Sequence, residues 1–243
     1  LVFNLNSENQ IIDYEADYVL GQVDFVSSGN SSDSSGFDSL HDLVFDSINN
    51  YLYVADSGSD RVLVFDVSSI TDNEAAIHVI GQVDFDVNNN SEVASQNILD
   101  YPTGVDIDTN SNLLYVADSQ NNRVMVFDVS SITDGEAAVN VLGQVDFSGE
   151  GNALSASGMN LPTAVSVDST HEKLYVIDKQ NFRVLVFDVS SITDGEPAVN
   201  VLGSSTFVDS YSGTSSSLFN FSSGFFELPG ISVNTNNQKL FVS

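Results

Sequence analysis

One segment of this chain occurs three times almost unchanged, and that repetition limits the possible folds more than any other feature. The segment RVLVFDVSSITD begins at Arg61, returns at Arg123 with methionine in place of the leucine, and returns again at Arg183. The copies lie about sixty residues apart. A chain made of copies of one unit folds as an array of similar modules, so we expect one supersecondary unit in each period.

Two further motifs share this period and divide the chain into units. The motif GQVDF begins at Gly21, Gly81 and Gly143, with a degenerate copy at Gly203. The motif YVAD begins at Tyr53 and Tyr115, returns as YVID at Tyr175, and is truncated at Phe241. We therefore expect one propeller-type segment over residues 1–243, divided into the end of a preceding blade (1–20), three full units (21–80, 81–142 and 143–202) and a truncated unit (203–243).

Each unit is predicted to contain four short strands. In the second unit these are residues 104–108, 113–117, 123–128 and 138–144. The runs are rich in β-branched and aromatic residues and are separated by turns rich in Asn, Asp and Ser, which is typical of antiparallel sheets. The SSITDGEAA segment between the third and fourth strands is predicted to form one helical or 3₁₀ turn, because Ser and Thr followed by Asp and Glu can start a helix.

The third strand of each unit indicates how the units pack together. Residues 62–65, with the sequence VLVF, are apolar at consecutive positions. A strand with one face in water would alternate between apolar and polar residues, so consecutive apolar residues indicate that both faces are covered. In a β-propeller each four-stranded blade is covered by its two neighbours. The predicted fold is therefore all-β: a β-propeller of four-stranded antiparallel blades, with about four repeat units present.

The repeat resembles that of the NHL-repeat β-propeller family. The residues that carry the resemblance are PTG from Pro102, LYVAD from Leu114, NNR from Asn121 and VMVF from Val124. The resemblance implies a ring of six or so blades, and such propellers serve as binding and as enzymatic scaffolds, so it implies a fold more than a function. Because both ends of the chain fall inside a predicted hairpin, we expect this segment to be a fragment of a longer protein.

The charge balance limits the partners. Six Lys and Arg residues face 34 Asp and Glu residues, for a net charge of −28. Nucleic-acid binding requires clustered cations, so we expect no nucleic-acid partner. No apolar run is long enough to span a bilayer, so we expect no membrane insertion. Suitable partners are cations, basic proteins and neutral polymers, and we expect a protein or a polysaccharide. The sequence does not predict the oligomeric state.

The compartment is inferred from composition alone. The chain contains no Cys, which excludes disulfides and thiolate metal sites within it. No signal peptide is visible at its start. The richness in Ser, Asn, Asp and Gly favours an extracellular or cell-surface protein of bacterial type.

One pair of opposite charges recurs at the same place in every full unit. An Asp precedes an Arg by five positions, across a predicted hairpin turn; the pairs are Asp56 with Arg61, Asp118 with Arg123, and Asp178 with Arg183. A carboxylate and a guanidinium so placed can pin the turn or reach a neighbouring blade. A substrate clamp would be expected in one unit only, so we interpret the three pairs as structural.

His41 and Asp42 are the candidates for a metal site. They stand where the second unit has Thr103 and Gly104, at the start of a predicted inner strand, and inner strands of several blades could converge on a zinc ion. The run beginning at Asp106 superficially resembles a calcium loop but lacks its glycine and its final glutamate, so a polar turn is the better interpretation. We therefore expect no cofactor, with Ca²⁺ or Zn²⁺ as the alternative.

The leading hypothesis for function is a non-catalytic binding or scaffolding propeller. No catalytic residues are predicted, because the sequence has neither a nucleophile motif nor a phosphate-binding loop. The alternative is a metal-dependent propeller enzyme, similar to an amidating lyase or a lactonase, with its site in the central channel and partly outside this segment. Polar loops over residues 26–39, 86–96, 148–158 and 208–223 differ between units and are candidates for recognition.

Overall fold

The computed structural model describes residues 1–85, 93–210, 212, 213, 215, 217–221 and 228–243. Its strands form three four-stranded antiparallel sheets and one two-stranded antiparallel sheet, each with its strands side by side in chain order. The predicted all-β fold with blades of four antiparallel strands is confirmed. The larger ring of six or so blades stays a prediction.

The blades have closely matched strand boundaries. The first blade comprises β1 (Leu40–Asp46), β2 (Tyr51–Asp56), β3 (Arg61–Asp66) and β4 (His78–Ile80). The second comprises β5 (Pro102–Asp108), β6 (Leu113–Asp118), β7 (Arg123–Asp128) and β8 (Asn140–Leu142). The third comprises β9 (Pro162–Asp168), β10 (Lys173–Asp178), β11 (Arg183–Asp188) and β12 (Asn200–Leu202). The final pair is β13 (Ile231–Asn234) and β14 (Lys239–Val242).

The core lies between the blades. The first strands β1, β5, β9 and β13 are neighbours in that order, so they form the inner wall of the array. Two large apolar clusters fill the spaces between the first and second blades and between the second and third. The apolar side chains of β3, at positions 62–65, are completely buried, as the prediction of two covered faces requires.

The outward face of the first blade is covered only in part. Val19 O accepts from Asn73 N at 3.1 Å there, and Leu20 forms a parallel bridge with Glu74. Near the axis of the array, Leu43 and Phe45 remain 60% and 50% exposed, whereas Val105 at the position equivalent to Leu43 is 3% exposed because the preceding blade covers it.

The end of each SSITD motif and the two residues after it contact the preceding part of the chain. We call these segments, residues 70–74, 132–136 and 192–196, the interblade clasps. In the second of these, Asp134 Oδ1 accepts from Val79 N at 3.2 Å, and Gly135 N donates to Val79 O at 3.2 Å. The third clasp binds Val141 in the same way through Asp194 and Gly195. Each of these two clasps therefore adds two hydrogen bonds to the outer strand of the preceding blade.

The prediction of a helical or 3₁₀ turn in these segments is wrong. Residues 129–139 form bends and turns without a helix. The Glu136 carboxylate does accept from Thr133 N at 3.0 Å, as at a helix start. However, Gly135 has a φ of 71°, which ends the helical path, and the clasp holds Asp134 against the neighbouring blade. The 3₁₀ turns lie instead at Ser57–Ser59 and Lys179–Asn181, between second and third strands.

Among the described residues, no helix has the length and apolar character needed to cross a membrane.

Candidate functional site

The blades present their turns between second and third strands, residues 57–60, 119–122 and 179–182, at one end of the array. Polar loops 26–39 and 148–158 lie at this same end, which we call the loop end. Backbone bonds tie the turns to the starts of the inner strands: Gln120 N donates to Asp100 O at 3.2 Å, and Gln180 N to Asn160 O at 3.1 Å. The inner strands therefore begin among these loops, and we call this end of the inner wall the channel mouth.

Each Asp–Arg pair is a buried ion pair within one hairpin. Arg123 Nε lies 2.6 Å from Asp118 Oδ2, and both side chains are completely buried. Asp118 Oδ1 accepts from Asp100 N at 2.7 Å, just before β5. The pairs Arg61–Asp56, at 2.9 Å, and Arg183–Asp178, at 2.7 Å, repeat this arrangement.

The guanidinium groups also hold the loops on both sides of their hairpin. Arg61 donates to Asp56 and to four backbone carbonyls, those of Ser32, Asp33, Gly36 and Phe85. A guanidinium has five N–H donors, so Arg61 has none left for a ligand. Arg123 binds the carbonyls of residues 95, 98 and 147, and Arg183 those of residues 155, 158 and 207.

The buried aspartate of the third blade stays charged because of its partners. Burial raises the pKa of Asp178 to about 6, against the opposing pull of the Arg183 guanidinium and of the donors from Asn160 and Asn181. The carboxylate is therefore ionised at pH 7, where it pairs with Arg183. This charge belongs to the framework of the blade.

At the channel mouth, the same strand position carries a different residue in each blade. His41, Thr103 and Thr163 are the second residues of β1, β5 and β9. His41 Nδ1 lies 2.5 Å from Ser57 Oγ, and Ser57 Oγ donates to the carbonyl of the next blade at residue 102. A Ser hydroxyl has one proton, so Ser57 accepts from His41 Nδ1–H and the Nε2 atom of the neutral ring is left as an acceptor.

The second blade repeats this link between blades, and the third departs from it. Thr103 Oγ1 lies 2.5 Å from Ser119 Oγ and 2.9 Å from Thr163 O. The third blade has Lys179 where the others have Ser57 and Ser119. Thr163 is 2% exposed, and its Oγ1 has no hydrogen-bond partner among the described residues.

Carboxylates on the inner strands bridge consecutive blades. Asp42 Oδ2 accepts from Val105 N at 3.0 Å, and Asp106 Oδ2 accepts from Val167 N at 2.8 Å. Burial raises the pKa of Asp42, and burial together with the nearby Asp42 charge raises the pKa of Asp106 to about 6. The start of the calcium-like run is therefore a contact between blades, and Asp108 beyond it accepts from Asn110 N at 2.9 Å within a turn.

A cavity of about 170 Å³ opens at the channel mouth, and the sequence-predicted candidates His41 and Asp42 both line it. Thr103, Thr163 and residues 164, 165 and 228–231 are the other described residues that line it. Sequence reasoning missed the two threonines. A signal was present, because the change from serine to lysine at position 179 breaks the repeat directly beside Thr163. We call this space the channel-mouth cavity.

The other histidines lie apart from this cavity. His78 Nδ1 lies 3.1 Å from Asp134 Oδ1 at a clasp, and His171 Nδ1 lies 2.7 Å from Asp168 Oδ2 in a turn. In the described part of the chain, no three His, Cys, Asp or Glu side chains group closely enough to hold a metal ion.

Two of the four variable loops can be described only in part. Residues 86–92 of the second loop lie outside the described residues, as do residues 211, 214, 216, 222 and 223 of the fourth. The first and third loops are fully described. Asn122 Nδ2 donates to Glu150 O at 2.9 Å, so the third loop rests on the turn between β6 and β7.

Comparison with known proteins identifies the repeat. The family model for the NHL repeat matches residues 99–127, which include all of β5 and β6 and most of β7. NHL repeat-containing protein 2 from Bos taurus is 30% identical over 148 residues, and that from Homo sapiens is 30% identical over 145 residues. Each match covers 58% of this chain and 19% of the relative, so the chain spans about a fifth of their length. The repeat match and the blade architecture together support assignment of this chain to the NHL-repeat family.

Proposed function

We propose that this chain is a non-catalytic binding or scaffolding propeller that recruits a protein partner at its loop end. The proposal rests on a difference between two kinds of repeat position, those that all full blades share and those that vary. The side chains that all three full blades share, above all the Asp–Arg pairs, are used up in hydrogen bonds that hold the blades. The residues that differ between blades gather in the polar loops and around the channel mouth.

The charge distribution favours a basic region on that partner. Of the six cationic residues, the three arginines are completely buried in ion pairs and Lys179 is 1% exposed. Lys173 lies 3.1 Å from Asp188, which leaves Lys239 as an exposed cation. The charged side chains at the described surface are therefore almost all anionic, and such a field attracts basic partners and repels acidic ones.

An extracellular or cell-surface location is part of the same proposal. The richness in Ser, Asn, Asp and Gly supports it. Recognition of a polysaccharide is the other expected mode, and it differs from the protein mode in its dependence on salt, because neutral sugars are bound without net charge attraction.

The test is binding of the full chain to Lys/Arg-rich peptides, charge-matched acidic peptides and neutral polysaccharides, measured at about 50 and 300 mM NaCl. We expect only the basic peptides to bind, with an affinity that falls as salt rises. Glu150→Lys at the loop end should weaken binding several-fold, whereas Glu172→Lys, the same charge reversal in an exposed turn at the opposite end, should weaken it much less. Salt-independent binding of a polysaccharide alone would overturn the proposal.

A further inference from the structure

The channel-mouth cavity has the chemistry to hold one specific group. We propose that it binds a primary ammonium, and that the side chain of a lysine on the basic partner supplies it. The identity of the group is argued from the cavity itself, whereas its source in a partner protein rests on the function proposed above.

The first observation is an unsatisfied hydroxyl. Thr163 lines the cavity and is 2% exposed, yet its Oγ1 has no hydrogen-bond partner within the described part of the chain. A buried polar atom without a partner costs free energy, so such atoms are rare unless a ligand or ion satisfies them. Thr103, at the same position in the preceding blade, is satisfied by Ser119 and by Thr163 O. At this strand position, only the blade in which lysine replaces the serine therefore has a threonine hydroxyl without a hydrogen-bond partner among the described residues.

The second observation is the set of acceptors around the same space. His41 lines the cavity and, with Nδ1–H donated to Ser57 Oγ, has Nε2 as an acceptor. Burial lowers the pKa of His41, which keeps the ring neutral at pH 7. Asp42 supplies a carboxylate. Together with Thr163 Oγ1 these are three acceptors, and an ammonium group has three N–H donors on one nitrogen.

The charge at the cavity favours a cation over an anion. Asp42 lines the wall, and Asp106, on the next inner strand, adds a second negative charge close to it. No lysine or arginine is among the described residues that line the cavity, and the buried Lys179 is not part of its wall. An anionic ligand would meet the Asp42 carboxylate with no described cation in the cavity wall to offset it.

The size and the remaining wall fit an alkyl chain that ends in nitrogen. The cavity holds about 170 Å³, and its sides include the apolar residues Val165, Leu228, Pro229 and Ile231. An alkylammonium can lay its methylene groups against such a wall while its head reaches the acceptors. A bound metal ion would need several carboxylates or imidazoles around one point, and within the described residues no such group exists.

The test uses isothermal titration calorimetry of the full chain with three probes. These are n-butylammonium chloride, tetramethylammonium chloride, which has the same charge but no N–H donor, and the peptide acetyl-Gly-Lys-Gly-amide. We expect butylammonium and the peptide to bind and tetramethylammonium to bind at least tenfold more weakly. Binding of butylammonium without the peptide would show that the cavity takes free amines and would overturn lysine as the source.

Matched variants locate the binding to the cavity. Asp42→Asn should weaken butylammonium binding at least tenfold, while Asp106→Asn, which alters a carboxylate outside the cavity wall, should weaken it less than threefold. Thr163→Val should weaken binding several-fold without loss of thermal stability, because the hydroxyl it removes has no partner. Equal affinity in the wild-type chain and Asp42→Asn would overturn the inference. If basic peptides still bind in that case, the proposed function stands and only the cavity assignment fails.

Discussion

The Asp–Arg hairpins have the same residues in every full blade, whereas the residues at the channel mouth differ from blade to blade. In the hairpins, each full blade has the same aspartate and arginine in the same geometry, with Nε–Oδ2 distances of 2.6 to 2.9 Å. At the channel mouth, one strand position carries His41, Thr103 or Thr163 in successive blades, and the next carries Asp42, Gly104 or Ala164. The two regions are adjacent, and the difference between them reflects the different roles of their residues.

The comparison shows that repetition marks the framework and departure from it marks the candidate site. A buried ion pair must satisfy every one of its donors and acceptors, and the same solution serves every blade. The channel mouth faces a shared space, where each blade can contribute a different chemical group. Four substitutions test this division.

The strongest test removes a repeated framework residue. Arg123→Ala leaves the Asp118 carboxylate buried without its cation, so we expect the free energy of unfolding to fall by about 3–5 kcal/mol. Urea denaturation measures the loss. The control is Lys173→Ala, which breaks a partly exposed pair with Asp188 and should cost less than about 1 kcal/mol. Equal losses in both variants would contradict the framework role of the buried pair.

The second test concerns Gly104, the channel-mouth residue at the position where the first blade has Asp42 and the third has Ala164. Gly104→Ala places a Cβ atom 2.7 Å from the Cα atom of Ala164 and 2.9 Å from Thr163 O, so the next blade must shift. We expect a loss of about 1–3 kcal/mol in thermal or urea unfolding. Gly151→Ala is the control, because nothing lies within 4 Å of its added Cβ. A neutral Gly104→Ala would show that the inner strands are packed more loosely than their distances indicate.

The third test concerns the clasps, which repeat like the hairpins but lie at the surface. Asp134→Ala removes the acceptor of Val79 N and of His78 Nδ1, and we expect a loss of about 1 kcal/mol. Asp134→Asn retains an oxygen acceptor and should recover most of that loss. Thermal unfolding of the two variants side by side measures the difference. If the alanine and asparagine variants unfold alike, the clasp bonds contribute no stability.

The smallest effect is expected at a turn position that differs between blades. Asp60 Oδ1 accepts from Tyr101 N at 2.8 Å, and Asn122 makes the equivalent bond to Leu161 N in the next blade. Burial raises the pKa of Asp60 to about 6, above its unfolded value near 4, so the ionised form destabilises the folded state. Asp60→Asn keeps the acceptor and removes the charge, and it should stabilise the protein at pH 7 by up to about 1 kcal/mol after solvent screening.

This last effect has a defined pH dependence. The cost of the Asp60 charge is fully present above the folded-state pKa of about 6 and disappears as the pH falls towards about 4. The advantage of Asp60→Asn should therefore be largest at pH 7 and small at pH 4.5. Melting temperatures of both proteins across this range provide the measurement, and a constant difference would exclude the charge as its cause.

Much of the blade could be predicted from the sequence, because its strands and turns depend on residues that lie close together in the chain. The VLVF run at residues 62–65 predicted a strand covered on both faces, and the five-residue spacing of Asp118 and Arg123 suggested a pair across one turn. The clasp could not be predicted in the same way. Its SSITDGE sequence has the features of a helix start, and only the contact with Val79 on the neighbouring blade explains why the segment forms no helical turn.

The candidate site was predictable only in outline. His41 and Asp42 stood out because they interrupt the repeat, but the role of Thr163 depends on the absence of a hydroxyl that Ser119 supplies elsewhere. A threonine among many gives no local sign that its hydroxyl lacks a partner. That information lies in the spacing between two blades and in the direction of one side chain.

The sequence by itself determined the period, the four strands of each blade and the covered faces, because these follow from residue types within one unit. The contacts between atoms of consecutive blades could be identified only in the folded structure. The bonds from Asp42 to Val105 and from Asp106 to Val167 join residues about sixty positions apart, and they depend on how closely the inner strands approach. For the same reason, only the folded array shows the cavity that His41, Asp42 and Thr163 share.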